Sequence, residues 1–257
     1  KMVNEKHSII FITHKMKEVM ALSHRITVLS RGKVMATLKK DETNPQELAD
    51  LMISNLEAKD LVKVSEFLWD TTVDEKKGEG SVSQKQKKKF GNLTVALRDI
   101  HAVNDLGYPA LKGISLDIRA GEILGMAGVS GNGQPELTDV LSGLRSPTRG
   151  KYQFEDVPLN KPTVNEMIDM GVGYIPEDRK RFGVSSGMSI AYNFLLRDFQ
   201  NPQFCSRQLL KLSNIFDYGQ KKMQEFDIRA PTEKTPVGLL SGGNMQKVIL
   251  AREISRP

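Results

Sequence analysis

"GVSGNGQPEL", Gly128 to Leu137, spaces its glycines like a loop that wraps an anion. In such a loop glycines let successive backbone N–H groups face a phosphate, and the helix that follows aims the positive end of its dipole at the same point. The usual pattern then supplies a lysine for the β- and γ-phosphates and a serine or threonine hydroxyl for magnesium. Here those two positions hold Gln134 and Pro135. Gln134 donates hydrogen bonds but carries no charge. Pro135 has no hydroxyl, although its missing N–H costs nothing in the first turn of a helix. These residues predict a loop that keeps the shape of a phosphate cradle and lacks the groups that act on the phosphate. Taken alone, the same letters also spell an ordinary glycine turn.

The surroundings give the loop its weight. "GEILGMAG", residues 121–128, is an apolar strand running into it, and Leu137, Val140, Leu141 and Leu144 follow at helical spacing. Upstream, "LTVALRDIHAV" and "LKGISLDI" read as strands. Downstream, "NEMIDMG" reads as a helix closing at Gly171, "VGYIPED" as the next strand, and residues 179–235 as mostly helical. "LLSGGNMQKVILAREI" opens on glycines and continues as an amphipathic helix. Ser241, Gly242 and Gly243 would there present N–H groups and a hydroxyl to an anion. Alone, that is a common way to start a helix.

Nearer the beginning, "SIIFIT", residues 8–13, is a β-branched apolar run that predicts a buried strand of a parallel sheet, with His14 at its end. "HRITVLSRGKVMATL" predicts a hairpin turning at "RG", and "NPQELADLMI" a short helix capped by Asn44 with Pro45 in its first turn. "DEKKGEGSVSQKQKKKFGN", residues 74–92, has almost nothing to bury and reads as the core of a linker spanning residues 57–92.

A chain of 257 residues accommodates one large or two modest domains, at roughly 150 residues per domain. With 39% apolar and 26% charged residues the composition is that of a folded globular protein, which excludes the fibrous and disordered classes. Part of the +6 net charge sits in "KQKKKF", residues 85–90, either a solvated linker or a patch that meets phosphates or lipids. A single cysteine, Cys205, excludes an intramolecular disulfide. No apolar run approaches the roughly 20 residues of a membrane span, and "KMVNEKHSIIFITH" lacks the layout of a signal peptide, so the first residues read as a domain interior.

Four segments taken together resemble the ATP-binding cassette (ABC) ATPases. "LSGGNMQK", residues 240–247, looks like their signature motif, comprising Leu240, Ser241, Gly242, Gly243 and Asn244. "GVSGNGQPEL" looks like a degenerate Walker A loop, comprising Gly128, Val129, Ser130, Gly131, Asn132, Gly133, Gln134 and Pro135. "GYIPEDRK", residues 173–180, resembles the Q-loop segment in the second cassette of tandem importer ATPases for ribose, galactose and nucleosides, with Glu177 where a glutamine is usual. "IIFITHKMKEV" resembles the switch-histidine segment of a preceding cassette, with His14 as that histidine. The similarity covers the chain apart from residues 54–92, and the "GNGQ" variant most resembles the nucleoside type that works with a basic-membrane lipoprotein.

The resemblance implies an α/β fold of the P-loop NTPase class and ABC type: a parallel-sheet core, an antiparallel β subdomain and an α-helical subdomain. It implies two partial cassettes, the end of a first in residues 1–56 and the start of a second in residues 93–257, both Walker B motifs and the first Walker A lying outside the sequence. The fragment alone is expected not to hydrolyse ATP. Cassettes of this family pair head to tail, so His14 and the signature would share one composite site, with His14 as the catalytic residue at the γ-phosphate. The degenerate loop and Glu177 would belong to the other, holding ATP without turnover. ATP and Mg²⁺ are the implied cofactors. Tyr108 either stacks on adenine or packs a turn. Phe182, Met188 and Phe194 are candidate contacts to a permease, or core residues. The implied partners are integral membrane permease subunits and, through them, an extracytoplasmic substrate-binding lipoprotein, with no nucleic acid. The implied location is peripheral, at the cytoplasmic face of the membrane. The competing reading is a soluble tandem ABC ATPase acting on ribosomes. Gln134 and a short glycine-containing linker count against it.

Overall fold

The computed structural model describes residues 7–13, 15–53, 90–129, 131–207 and 209–255. They fall into two compact units, Lys1–Thr163 and Val164–Pro257. His14, Ser130 and all but the last three residues of the expected linker lie outside the described residues.

The first unit opens with β1 (Ile9–Thr13), α1 (Met16–Leu22), β2 (Arg25–Ser30), β3 (Lys33–Lys39) and α2 (Pro45–Ile53). It continues with β4 (Leu93–Val103), β5 (Pro109–Arg119), β6 (Ile123–Ala127), α3 (Gln134–Leu141), β7 (Arg149–Phe154) and β8 (Val157–Leu159). These strands make two four-stranded sheets. One has the order β1-β6-β2-β3, with β1 and β2 parallel to β6 on either side and β3 antiparallel at the edge. The other, β5-β4-β7-β8, is antiparallel throughout. A parallel core beside an antiparallel sheet is the arrangement expected of the fold class.

Strands from both sides of residues 57–92 therefore share one sheet. Phe90 to Asn92, read as the linker's last residues, are already packed on this unit. The Gly91 N–H donates to Ala120 O at 2.9 Å, and the Phe90 ring lies 5.2 Å from that of His24. His24 itself accepts the Ile123 N–H on Nδ1 at 2.9 Å, tying the start of β2 to β6.

Burial explains the order of the core sheet. β2 and β6 are central and almost wholly buried, whereas β1, expected to be buried, is half-exposed along its length because it forms an edge. Met16 and Val19 of α1 and Leu48 and Met52 of α2 pack against Ile26, Val28 and Ala127. That removes several large apolar side chains from water, at about 1.5–3 kcal/mol each. Asn44 accepts the Glu47 N–H at 2.9 Å and caps α2 as its sequence predicts.

The second unit is mainly helical: α4 (Val164–Asp169), a π-turn at Arg179–Gly183, α5 (Ile190–Leu195), a two-residue hairpin of β9 (Cys205–Ser206) and β10 (Leu209–Leu210), α6 (Leu212–Glu225) and α7 (Gly242–Ile254). α5 and α7 bury Ile190, Phe194, Met245 and Val248 in one cluster with Ile228 and Val237. Phe194 is thus a core residue, while Phe182 and Met188 are exposed.

"VGYIPED" corrects the sequence reading: it forms no strand. Two of its backbone groups pair with side chains instead. Tyr174 N–H donates to Glu253 Oε2 at 3.1 Å, Val172 O accepts from Arg197 Nη2 at 2.8 Å, and Pro176 has no N–H to offer a ladder.

Candidate functional site

The glycine loop begins where β6 ends, between the C-terminal ends of β1 and β2. Gly131 and Gly133 adopt left-handed φ angles of 89° and 99°, which carry the chain round to the start of α3. Gly128 is required for a different reason. A Cβ there would lie 2.6 Å from both Leu29 O and Gln134 Nε2.

That second neighbour is the main finding at this loop. The Gln134 side chain does not project outward. It folds into the loop, 9% exposed, accepting the Asn132 N–H on Oε1 at 3.2 Å and donating from Nε2 to Val129 O at 3.1 Å. The carboxamide thus spans the loop and uses one of its amide donors. Pro135, one residue on, removes another.

Asn132 fastens the loop from outside. Its Oδ1 accepts the Arg31 N–H at 2.8 Å and its backbone O accepts the Gly32 N–H at 2.9 Å. Arg31 and Gly32 form the turn between β2 and β3, both with positive φ, and Gly32 O in turn accepts the Lys112 N–H at 2.8 Å. A Cβ on Gly32 would come within 1.9 Å of Ala110 O. At the far end of α3, the buried Tyr152 hydroxyl donates to Leu141 O at 3.0 Å, and burial pushes its pKa above the ordinary tyrosine value.

The second candidate element is the start of α7. Ser241 is its N-cap and accepts the Asn244 N–H at 3.4 Å and the Asn244 amide at 3.2 Å. Asn244 Oδ1 accepts the Arg229 N–H at 3.0 Å, which fixes the preceding loop to the helix. Ser241, Gly242 and Gly243 are exposed, and beyond its own turn of helix a Cβ on Gly243 would meet nothing within 4 Å among the described residues. Leu240 is half-buried and packs into the apolar cluster beneath, so it anchors the turn.

Glu177 is exposed. Two residues on, Arg179 Nη1 donates to Gly242 O at 3.0 Å, so the Q-loop-like segment touches the signature-like turn. Lys247 donates to the Asp227 carboxylate at 2.7 Å and holds its pKa below the usual carboxylate range. The other end of α7 is held by ions. Glu253 accepts from Arg197 and Arg252, the latter at 2.8 Å, and burial lowers the Arg252 pKa. Tyr108 is exposed, and its backbone is engaged with Asn104.

Sequence reasoning missed the turn at Arg31 and Gly32 as a clamp, the inward fold of Gln134, and the pairings of Arg179 and Glu253. The hairpin was legible, but its docking against a residue a hundred positions away was not. The structure groups Gly128, Val129, Gly131, Asn132, Gly133, Gln134 and Pro135 in the first unit, and Leu240 to Asn244 with Glu177 in the second.

A family model described as ABC transporter matches residues 111–257, more than half of the chain. A glucose import ATP-binding protein of Haloferax volcanii is 35% identical over 100% of this chain and 43% of its own length. A nucleoside import ATP-binding protein of Lactococcus lactis is 32% identical, covering 99% of this chain and 46% of its own. A guanosine import ATP-binding protein of Bacillus subtilis is 33% identical with the same two coverages, 99% and 46%. The chain thus spans less than half the length of these relatives. Among solved structures, a dimeric bacterial ABC transporter cassette aligns with a TM-score of 0.50 at 18% identity, covering 63% of this chain and 69% of that one. An ATP-binding cassette in a post-hydrolysis state with ADP and Pi aligns at 0.51, with 18% identity and the same coverages of 63% and 69%. Family match, sheet order and the two glycine elements agree: the chain belongs to the ABC transporter family.

Proposed function

We propose that this chain is part of an ATP-hydrolysing, energy-coupling subunit of an ABC importer for nucleosides or related simple sugars. The observation that carries the reading is the contrast between its two glycine elements. The turn at Ser241 to Gly243 is exposed and presented at the start of a long helix, as a group that meets a partner cassette's nucleotide must be. The loop at Gly128 to Pro135 lacks the lysine and the hydroxyl. The import functions named for the relatives supply the substrate class.

In this reading residues 1–56 end a first cassette, residues 57–92 link it to the second, and residues 93–257 begin the second, so that β1 and β2, which flank β6 in this chain, would in the longer protein flank the corresponding strand of the first cassette. Two cassettes pair head to tail and form two unequal sites for magnesium–ATP. In the hydrolytic site, His14 acts on the γ-phosphate while Ser241 and the N–H groups of Gly242 and Gly243 stabilise charge on the transferring phosphoryl group. In the other, Pro135 offers magnesium nothing and Gln134 gives the phosphates no charge, so turnover there is slow. Glu177 faces that second site, and exposed Tyr108 has the room to stack on its adenine.

No described helix is long and apolar enough to cross a membrane. The subunit would sit peripherally at the cytoplasmic face, docked on permease helices through Phe182 and Met188, with a substrate-binding lipoprotein acting on the other side and no nucleic acid involved. The test uses protein of the relatives' full length. His14→Ala should abolish ATP hydrolysis and leave nucleotide binding intact. Hydrolysis at the wild-type rate would sink the one-active-site reading, because the activity would then come from the degenerate loop.

A further inference from the structure

We propose that the Gln134 side chain is a built-in substitute for a phosphate, which holds the glycine loop in its cradle shape when empty and must be displaced before a nucleotide's phosphates can enter. The proposal rests on the reading of residues 128–135 as a nucleotide loop.

Three observations carry it. The carboxamide is oriented with both of its polar atoms used: the oxygen takes an N–H that lines the loop, as a phosphate oxygen would, and the nitrogen satisfies Val129 O on the opposite strand of the loop. The group is nine-tenths buried, so it fills the space and does not lie over it. Finally, the surroundings are cut to fit it. Gly128 is the residue whose missing Cβ leaves room for Gln134 Nε2, and the turn at Arg31 and Gly32 holds Asn132 so that its N–H faces inward.

A buried amide donor left without a partner costs more than a made bond returns, so an empty glycine loop tends to collapse or refill with water. Gln134 removes that penalty without an anion. A phosphate arriving at Asn132 N–H must expel the carboxamide and leave Val129 O to find another donor. Competition from within the loop therefore weakens binding here, in addition to the absent lysine charge.

The probe is a fluorescent N-methylanthraniloyl ATP titrated onto this chain, whose sequence contains a single loop of this kind. Gln134→Ala should bind it about tenfold tighter than the natural residue, the size of one net hydrogen bond. Gln134→Met, which keeps the length and volume without hydrogen bonds, should also tighten binding and guards against a poorly folded alanine variant. Gln134→Glu, which still accepts from Asn132 N–H but meets phosphate with a negative charge, should bind more weakly than the natural residue. In the absence of nucleotide, the Asn132 amide should exchange with deuterium faster in Gln134→Ala. A loop residue that served only for stability would lose affinity on truncation, not gain it. Equal affinity in all variants overturns the proposal and leaves the nucleotide reading standing. Binding by none of them overturns both.

Discussion

The two glycine elements use the same resource in opposite directions. At the glycine loop the Asn132 amide turns inward onto the Gln134 side chain, and Asn132 is clamped by Arg31 and Gly32. At residues 241–244 the helix start faces solvent, and only its cap is closed, by Ser241 and Asn244. A helix N-terminus gives amide donors and a favourable dipole in both cases. Whether they serve folding or a ligand depends on the side chains beside them. The lesson is that a degenerate motif need not be a vacant one.

Three substitutions would break or sharpen the contrast. The largest effect is expected where the open element is secured from behind. Glu253→Ala removes the acceptor shared by Arg197, Arg252 and Tyr174 N–H and takes its carboxylate from the buried Arg252 guanidinium. It should cost about 3–5 kcal/mol in urea unfolding of the second unit. A loss under about 1 kcal/mol would mean that the exposed turn stands without this anchor.

Next comes the clamp on the closed element. Gly32→Ala places a Cβ into Ala110 O at a left-handed φ of 77° and should cost about 2–3 kcal/mol in thermal or urea unfolding. If the mutant melts like the natural chain, the turn does not hold the loop.

The smallest effect lies at the exposed pair behind the signature-like turn. The Lys247 ammonium keeps Asp227 below its ordinary pKa, so the contact stabilises the fold above the unfolded carboxylate's pKa and is lost as pH falls through the depressed folded value. The melting temperature of Asp227→Asn should therefore lie slightly under that of the natural chain near neutrality and converge with it in acid. High salt should erase the difference too, because the pair is exposed. A gap that persists in acid would show that the difference does not come from the Asp227 charge.

Apolar strands were legible because period and composition determine them locally: "RITVLS" and "ILGMA" emerged as read, whereas "SIIFIT" emerged as a strand but half-exposed at the sheet's edge and not buried. β7 and β8 went unread because their turn, at Glu155 and Asp156, carries no glycine, Glu155 itself taking a φ of 51°. "VGYIPED" looked like a strand because its residues favour one, yet no neighbouring strand offers it a ladder and Glu253 and Arg197 take its place. At the loop, the loss of lysine was plain in the letters. Where the replacing carboxamide would go was not, since both of its partners are backbone atoms positioned only by the folded loop. The opposite holds for Ser241, whose cap role is local and follows from its place before the helix.

The sheet order has a consequence for biosynthesis. β6 is flanked by β1 and β2, strands made long before it and separated from it in sequence by residues 57–92. At about 5–20 residues per second, the ribosome releases residue 127 several seconds after residue 30. Through that delay β2 has an unpaired edge, the kind of surface that recruits other strands. A duplicated protein would present a second strand of the β6 type to the same edge. Fidelity in such a chain is then a matter of which strand arrives first, and newly made copies would need shelter from chaperones until the right neighbour is in place.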